Sequence, residues 1–342
     1  MLTTQFNQAL SNIEPTSADK DDAPKAHEEI RKALKADSTI SGWGLDPILI
    51  GSYKRQVSIR RVKDVDVFCR LTAVPPDLPP KDILDQFERV LKEAFPPIGD
   101  TPRVKRQARS FQVSFPEFEG LYVDAVPARP WASPTGLKVW QLPTREGQWQ
   151  GTNPEELNRL TTQMNDAAHH EGYYVPTVKL LRQTRRALMA KKRPGGLVVE
   201  LAAYHAFNRG LVSGPTQAEY YVTALQGVTT VLREAFIYGY GLDDPTLPGE
   251  KIVVRAEDEE KRLLVEKFGE AAAAARAAYD GGDTCAAAKT FRDLLGKAED
   301  DQGDQDYVFP MPDTCNLDGT AKRFTAVTAG DRGVPGGNRR FG

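Results

Sequence analysis

The chain has 342 residues, 40% hydrophobic and 27% charged, with a formal net charge of −2. That length suits two domains or one large one, and the charge balance excludes a globally basic nucleic-acid binder, so any positive patch must be local. The opening residues carry neither a basic start nor a long apolar run. Nothing approaches the ~18 consecutive apolar residues that cross a bilayer, so a soluble cytoplasmic protein is expected. Cys69, Cys285 and Cys315 are few, odd in number and far apart. They fit neither a disulfide framework nor a zinc site.

In chain order, residues 23–37 read as an amphipathic helix with Ile30 and Leu34 on one face. DPILIGS reads as a short buried strand ending at a glycine. KDVDVFCRL alternates, with Val65, Val67 and Cys69 on one side and Asp64, Asp66 and Phe68 on the other. The prolines of VPPDLPP lead into a helix carrying Ile83, Phe87, Val90 and Leu91. RSFQVSF and GLYVDAVPA are two more strands, expected to pair. After GTNPEELNRL the pattern turns helical, with Thr152 or Asn153 as the first cap. The spacing predicts helices over 153–171, 175–191, 196–209, 215–237, 257–280 and 283–298. The expected division is a mixed core over 1–172, a helical domain over 173–312, and a Gly- and Arg-rich tail over 313–342 that buries too little apolar area to fold.

The chemistry concentrates in LIGSYKRQVSIRRVKDVDVF. Asp64 and Asp66 lie one residue apart on a strand and so share a side. Like charges at that distance are costly unless something positive lies between them. A hard, oxygen-seeking ion such as Mg2+ answers that need. Asp124, in another apolar strand, offers the third carboxylate of a site for attack at phosphorus. Gly51 lets the backbone approach a phosphate, and Ser52 can donate to its oxygens where the chain turns into a helix. Lys54, Arg55, Arg60, Arg61 and Lys63 put five positive charges in the same stretch. A Gly-Ser pair, an Asp-x-Asp or a basic run is each weak alone; their order and spacing carry the signal.

These residues resemble the nucleotidyltransferase core of DNA polymerase beta-like enzymes. More narrowly, they resemble the bacterial CD-NTases, relatives of cyclic GMP-AMP synthase and oligoadenylate synthase. Gly51, Ser52, Arg55, Ile59, Arg60, Asp64 and Asp66 match the usual pattern, whereas Gln56, Val57 and Ser58 depart where Gly-Thr is usual. VDAVPA, GQWQGTNPEELN, VPTVKLLRQTRRAL, LVVELAAYHAF and YGYGLDDPTLPGEKI extend the likeness over roughly residues 25–300. The resemblance implies an α+β fold: a mixed-sheet core followed by a helical oligoadenylate-synthase-like domain, as two lobes around a cleft. It implies an enzyme of CBASS anti-phage defence that makes a cyclic di- or trinucleotide from nucleoside triphosphates and releases pyrophosphate. The product would reach a downstream effector.

In that reading Asp64, Asp66 and Asp124 are both catalytic and metal-binding, with two Mg2+ ions or Mn2+ as cofactors. Gly51 and Ser52 hold the donor phosphates. Lys179, matching the family's helix lysine, faces Asp64 across the cleft, with Arg182 and Arg186 on its face at i+3 and i+7. His169 and His170 diverge by about 100 degrees on a helix and cannot simply share one ion. Tyr238 and Tyr240 are expected to pack, with base stacking as the alternative. Gly342 on a mobile tail suits conjugation by E1/E2-like machinery, against a tail that is merely disordered. No membrane and no stable nucleic-acid partner are expected. Two other functions stand beside it: a template-independent polymerase or transferase acting on RNA, protein or a small molecule, which the acids cannot separate from cyclisation, and a catalytically inactive nucleotide-sensing scaffold, against which the presence of all three acids speaks.

Overall fold

The computed structural model describes residues 2–60, 64–118, 120–132, 136–299 and 303–323. Arg61, Lys63 and Gly342, with the rest of the chain past residue 323, lie outside the described residues.

The chain opens with helices α1 (Thr3–Ile13), α2 (Ser17–Ala36) and α3 (Ser38–Gly42). α2 begins earlier than hydrophobic spacing suggests. Thr16 Oγ1 accepts from the Asp19 amide at 3.0 Å while Asp19 accepts from the Thr16 amide at 2.8 Å. This reciprocal cap satisfies two otherwise orphaned donors. Strand β1 (Leu45–Ile50), the one-turn helix α4 (Gly51–Lys54) and strand β2 (Asp64–Leu71) follow. Helix α5 (Pro80–Ala94) starts on proline, where no amide bond is lost, and buries Ile83, Leu84, Phe87, Val90 and Leu91. Strands β3 (Val104–Arg106), β4 (Phe111–Phe115), β5 (Leu121–Ala132), β6 (Lys138–Pro143) and β7 (Trp149–Thr152) complete a seven-stranded sheet. Its main path runs β1-β2-β5-β4-β3, and β6 joins β5 to β7. Only the β2–β5 pair is parallel; the others are antiparallel.

The second half is helical: α6 (Pro154–Asp166), α7 (Tyr174–Met189), α8 (Gly196–Asn208), α9 (Gln217–Phe236), α10 (Asp258–Asp280) and α11 (Thr284–Leu295). Asn153 is the α6 cap, its Oδ1 accepting from the Glu156 amide at 3.3 Å. A short hairpin, β8 (Lys297–Glu299) with β9 (Gln305–Tyr307), closes the described fold.

Two hydrophobic cores result. One lies under the sheet, where Val65, Val67, Cys69, Phe87, Phe111 and Val123 meet α2 and α5. Phe68 faces the opposite side with Leu142 and Ala128, as the strand alternation requires. The other core lies among the helices. The N-terminal helix belongs to this second core: Phe6 is fully buried against Tyr221, Phe291 and Phe309, with ring centroids 5.0–5.8 Å away. Val57 and Ile59, from the first half, join the same core.

Four expectations need correction. Cys285 and Cys315 form a disulfide with Cα atoms 5.3 Å apart. Their 30-residue separation hid a chain that turns back onto α11. Residues 313–323 consequently have defined structure, including a bridge between Cys315 and Ala321, and Val308 and Phe309 ahead of them are buried. His169 and His170 lie in the turn after α6, not on it. His170 packs edge-on to Phe207 and approaches the Tyr220 hydroxyl at 3.4 Å. Burial, then the neighbouring His169, pushes its pKa down, so it is a neutral core histidine. Tyr238 and Tyr240 do not pack into the core: they are 59% and 67% exposed.

Candidate active site

The site grows from the end of β1. Ile50 stands opposite Asp66 in the antiparallel register, and the chain must then turn sharply. Gly51 makes that turn at φ +80°, a left-handed conformation that disfavours any side chain. A Cβ here would stand 1.9 Å from Asp66 Oδ2. Glycine is therefore required twice, by backbone sign and by its acidic neighbour. Arg55 closes α4 with its amide on the Gly51 carbonyl at 3.2 Å.

The loop beyond it explains the departure from the family pattern. Gln56 adopts φ +60°, a left-handed conformation in which only a glycine would be unstrained. Ser58 hydrogen-bonds the Ser52 hydroxyl at 2.9 Å, and the Val57 amide donates to the Ser52 carbonyl at 3.0 Å. The serine is thus tethered from both sides by residues that replace the usual loop.

The acids converge through the one parallel pair in the sheet. Asp66 and Asp124 are register partners on β2 and β5. Asp64 projects from the same side of β2 and is exposed. Asp124 accepts a hydrogen bond from Gln107 Nε2 at 3.3 Å, and Ser110 Oγ steadies Gln107 at 3.4 Å. Burial, then Asp64 and Asp124, pushes Asp66 up to about 7, against the opposing pull of Arg55. Burial and Asp64 push Asp124 up to about 6. Buried carboxylates crowded against further carboxylates must behave this way. No three His, Cys, Asp or Glu side chains among the described residues are already disposed to hold a metal. The donor set nevertheless fits a hard divalent cation, being all carboxylate oxygen on adjacent strands and electrostatically short of positive charge.

A cavity of about 480 Å³ opens in front of the acids. Gly51, Ser52, Arg55, Asp64 and Asp66 line it from the first half, and Arg182, Gly196, Leu201, Asp244 and Thr246 from the second. A second cavity, about 510 Å³, lies on the other flank of the Gly51–Ser52 turn, between Tyr53, Lys54, Gln56, Ser58, Glu14 and Lys179. Lys179 is buried there in an ion pair with Glu14. The lysine expected opposite Asp64 is therefore in the neighbouring cavity, and Arg182 lines the acid cavity instead. Spacing put both on one helix face but could not say which cavity each would reach. Arg186 turns away from both and donates to the Arg60 carbonyl; burial, Arg182 and Arg185 lower its pKa to about 10.

Sequence reasoning missed Glu200, a fully buried carboxylate on α8. It accepts from Arg55 Nε at 2.5 Å and Nη2 at 3.2 Å, and from Arg182 Nη1 at 3.2 Å. A lone Glu inside the apolar run LVVELAAYHAF was its only signal.

A mixed sheet with three acids on adjacent strands, a Gly-Ser turn over them and a helical second half defines a nucleotidyltransferase. Residues 1–165 match the Second Messenger Oligonucleotide or Dinucleotide Synthetase domain. The chain is 28% identical over 319 residues to a cyclic AMP-AMP-AMP synthase of Acinetobacter sp., covering 86% of this chain and 85% of the relative. It is 24% identical to a cyclic AMP-AMP-GMP synthase of Enterobacter hormaechei, covering 91% and 92%. Among solved structures, the Escherichia coli MS115-1 CdnC with ATP matches at 20% identity and TM-score 0.63, over 86% of this chain and 98% of that one. The Bradyrhizobium diazoefficiens CD-NTase CdnG with GTP matches at 15% identity and TM-score 0.65, over 86% and 95%. The chain is thus similar to cyclic oligonucleotide synthases in sequence, and to the CD-NTases in fold. No helix among the described residues is long and apolar enough to cross a membrane.

Proposed function

We propose that this protein joins nucleoside triphosphates into a cyclic trinucleotide rich in adenosine, as a cytoplasmic second messenger of CBASS anti-phage defence. The observation that carries the chemistry is Asp66 in register with Asp124, closed over by a glycine that nothing larger can replace. The choice of a trinucleotide follows the products named for the two relatives above.

In each coupling a ribose hydroxyl oxygen attacks the α-phosphorus of a donor triphosphate. The new P–O bond forms as the bond to the bridging oxygen breaks, and pyrophosphate leaves. Asp64, Asp66 and Asp124 would hold two Mg2+ ions, or Mn2+, which supply charge neutralisation at the reacting phosphate. A carboxylate oxygen of Asp124 takes the proton of the attacking hydroxyl. The tethered Ser52 hydroxyl and the Gly51 turn orient the donor phosphates. Lys179 and Arg182 supply positive charge on the two flanks of that turn. Conjugation of Gly342 to a target by E1/E2-like machinery is a separate part of the proposal. It predicts higher-mass conjugates on co-expression with such a partner, lost on Gly342→Glu.

Incubation with the four triphosphates, Mg2+ and no acceptor tests the reading. A phosphatase-resistant product with the mass of a cyclic trinucleotide is expected. Nucleotide addition only when RNA or another acceptor is supplied would replace it with the transferase reading.

A further inference from the structure

Glu200 is 1% exposed, and nothing in an apolar helix face explains a charge there. A carboxylate taken out of water costs several kcal/mol unless its oxygens are fully engaged. Here both oxygens are engaged, by guanidinium groups from two different segments. Arg55 comes from the end of the turn that carries Gly51 and Ser52, and meets Glu200 with two N–H donors. Arg182 comes from α7 and supplies a third donor. Two positive groups and one negative group leave the cluster with one net positive charge beside a cavity meant for a polyanion.

The cluster is shaped as well as charged. Arg182 lies against the start of α8, where a Cβ on Gly196 would stand 3.2 Å from the guanidinium carbon. Its Nε is buried without a partner, so it retains donor capacity. Arg55, Arg182 and Gly196 all line the acid cavity with Ser52 and Asp66, while Glu200 sits behind them. Charge-assisted, two-donor pairs of this kind fix planar groups in direction as well as distance.

We propose that Glu200 is a positioning residue for the donor nucleotide: from behind the cavity wall, it holds Arg182 and Arg55 at the angle at which they meet the triphosphate, and so couples the phosphate turn to the helical half. This rests on the cavity binding the donor, as proposed above. Without the Glu200 charge, the two guanidinium groups would repel each other and lose their common anchor. Loss of a buried partner also lowers stability, so a purely structural role must be separated from a positioning one.

The test is steady-state pyrophosphate release with ATP and Mg2+, with thermal unfolding alongside. Glu200→Gln keeps the shape and removes the charge. The expected result is a KM raised about tenfold with kcat changed less than about threefold, the scale of one charge-assisted hydrogen bond. Glu200→Asp should recover part of the loss. In the double variant with Arg182→Gln, the rise in KM should be smaller than the product of the two single effects, because Glu200 acts in part through that arginine. A lower Tm with unchanged KM overturns the proposal. If Glu200→Gln fails to fold, Arg182→Gln alone carries the test: an unchanged KM there also overturns it. Absence of pyrophosphate release from the wild-type protein would instead count against the nucleotidyltransferase reading itself.

Discussion

The two cavities flanking the Gly51–Ser52 turn are built on opposite electrostatic principles. On one side Asp64, Asp66 and Asp124 crowd together, and Asp66 and Asp124 have affinities for protons raised by burial and by neighbouring carboxylates. On the other side Lys179 is buried but already neutralised by Glu14. The first crowds like charge that a cation, as proposed above, would relieve. The second is internally compensated, and in the proposed function Lys179 would exchange Glu14 for a triphosphate oxygen. Uncompensated charge on the acid side, unlike an ion pair closed within the chain, is the pattern that supports placing the proposed chemistry there.

The comparison breaks most completely if the acids are dispensable. Asp64→Asn with Asp66→Asn should lower pyrophosphate release by at least about a thousandfold, the order expected when charge stabilisation at the reacting centre is lost. The same variant should fold at least as well as wild type in metal-free buffer at pH 8, since it removes buried like charge. Near-normal turnover would show that the carboxylates are not the reactive centre.

Next in size is the glycine between the cavities. Gly51→Val puts a branched side chain at positive φ and against Asp66 Oδ2. Activity should fall below a hundredth of wild type, with about 1–3 kcal/mol of stability lost to the backbone alone. Measured by urea unfolding and pyrophosphate release, a mild effect on both would mean the turn does not approach the acids as described.

The pH dependence sharpens the comparison. Asp66 rises from an ordinary 3.8 to about 7 on folding. Stability from the protonated form is therefore complete below about pH 4 and is lost as pH rises through about 7. Metal-free protein should lose Tm over that window, and Mg2+ should restore more of it at pH 8 than at pH 5. A Tm insensitive to Mg2+ at both pH values would remove the case for a cation between these acids.

The smallest effect belongs to the lysine side. Glu14→Gln removes the anion that competes for Lys179, so the KM for triphosphate should fall severalfold, within the range of a partly exposed ion pair. A raised KM would mean that Glu14 orients the lysine instead of occupying it.

How much of this was legible in the sequence follows from the range of each interaction. Alternation in KDVDVFCRL placed Asp64 and Asp66 on one face, and the apolar frame of Asp124 marked it as a strand residue, because strand geometry is local. The helices of the second half were readable from their spacing for the same reason. Motif order supplied the family, and with it the expectation that the three acids meet. Tertiary structure decided what depends on contacts between distant segments. Parallel register, not spacing, set Asp66 beside Asp124. The return of the chain onto α11 joined Cys285 to Cys315. The packing of α1 among the C-terminal helices brought Glu14 to Lys179. The cavity between the halves drew Arg182, not Lys179, toward the acids, and put Glu200 behind it. Residues can be assigned to a face from their neighbours in the chain, but which charge meets which is settled only when faces from different elements close on one another.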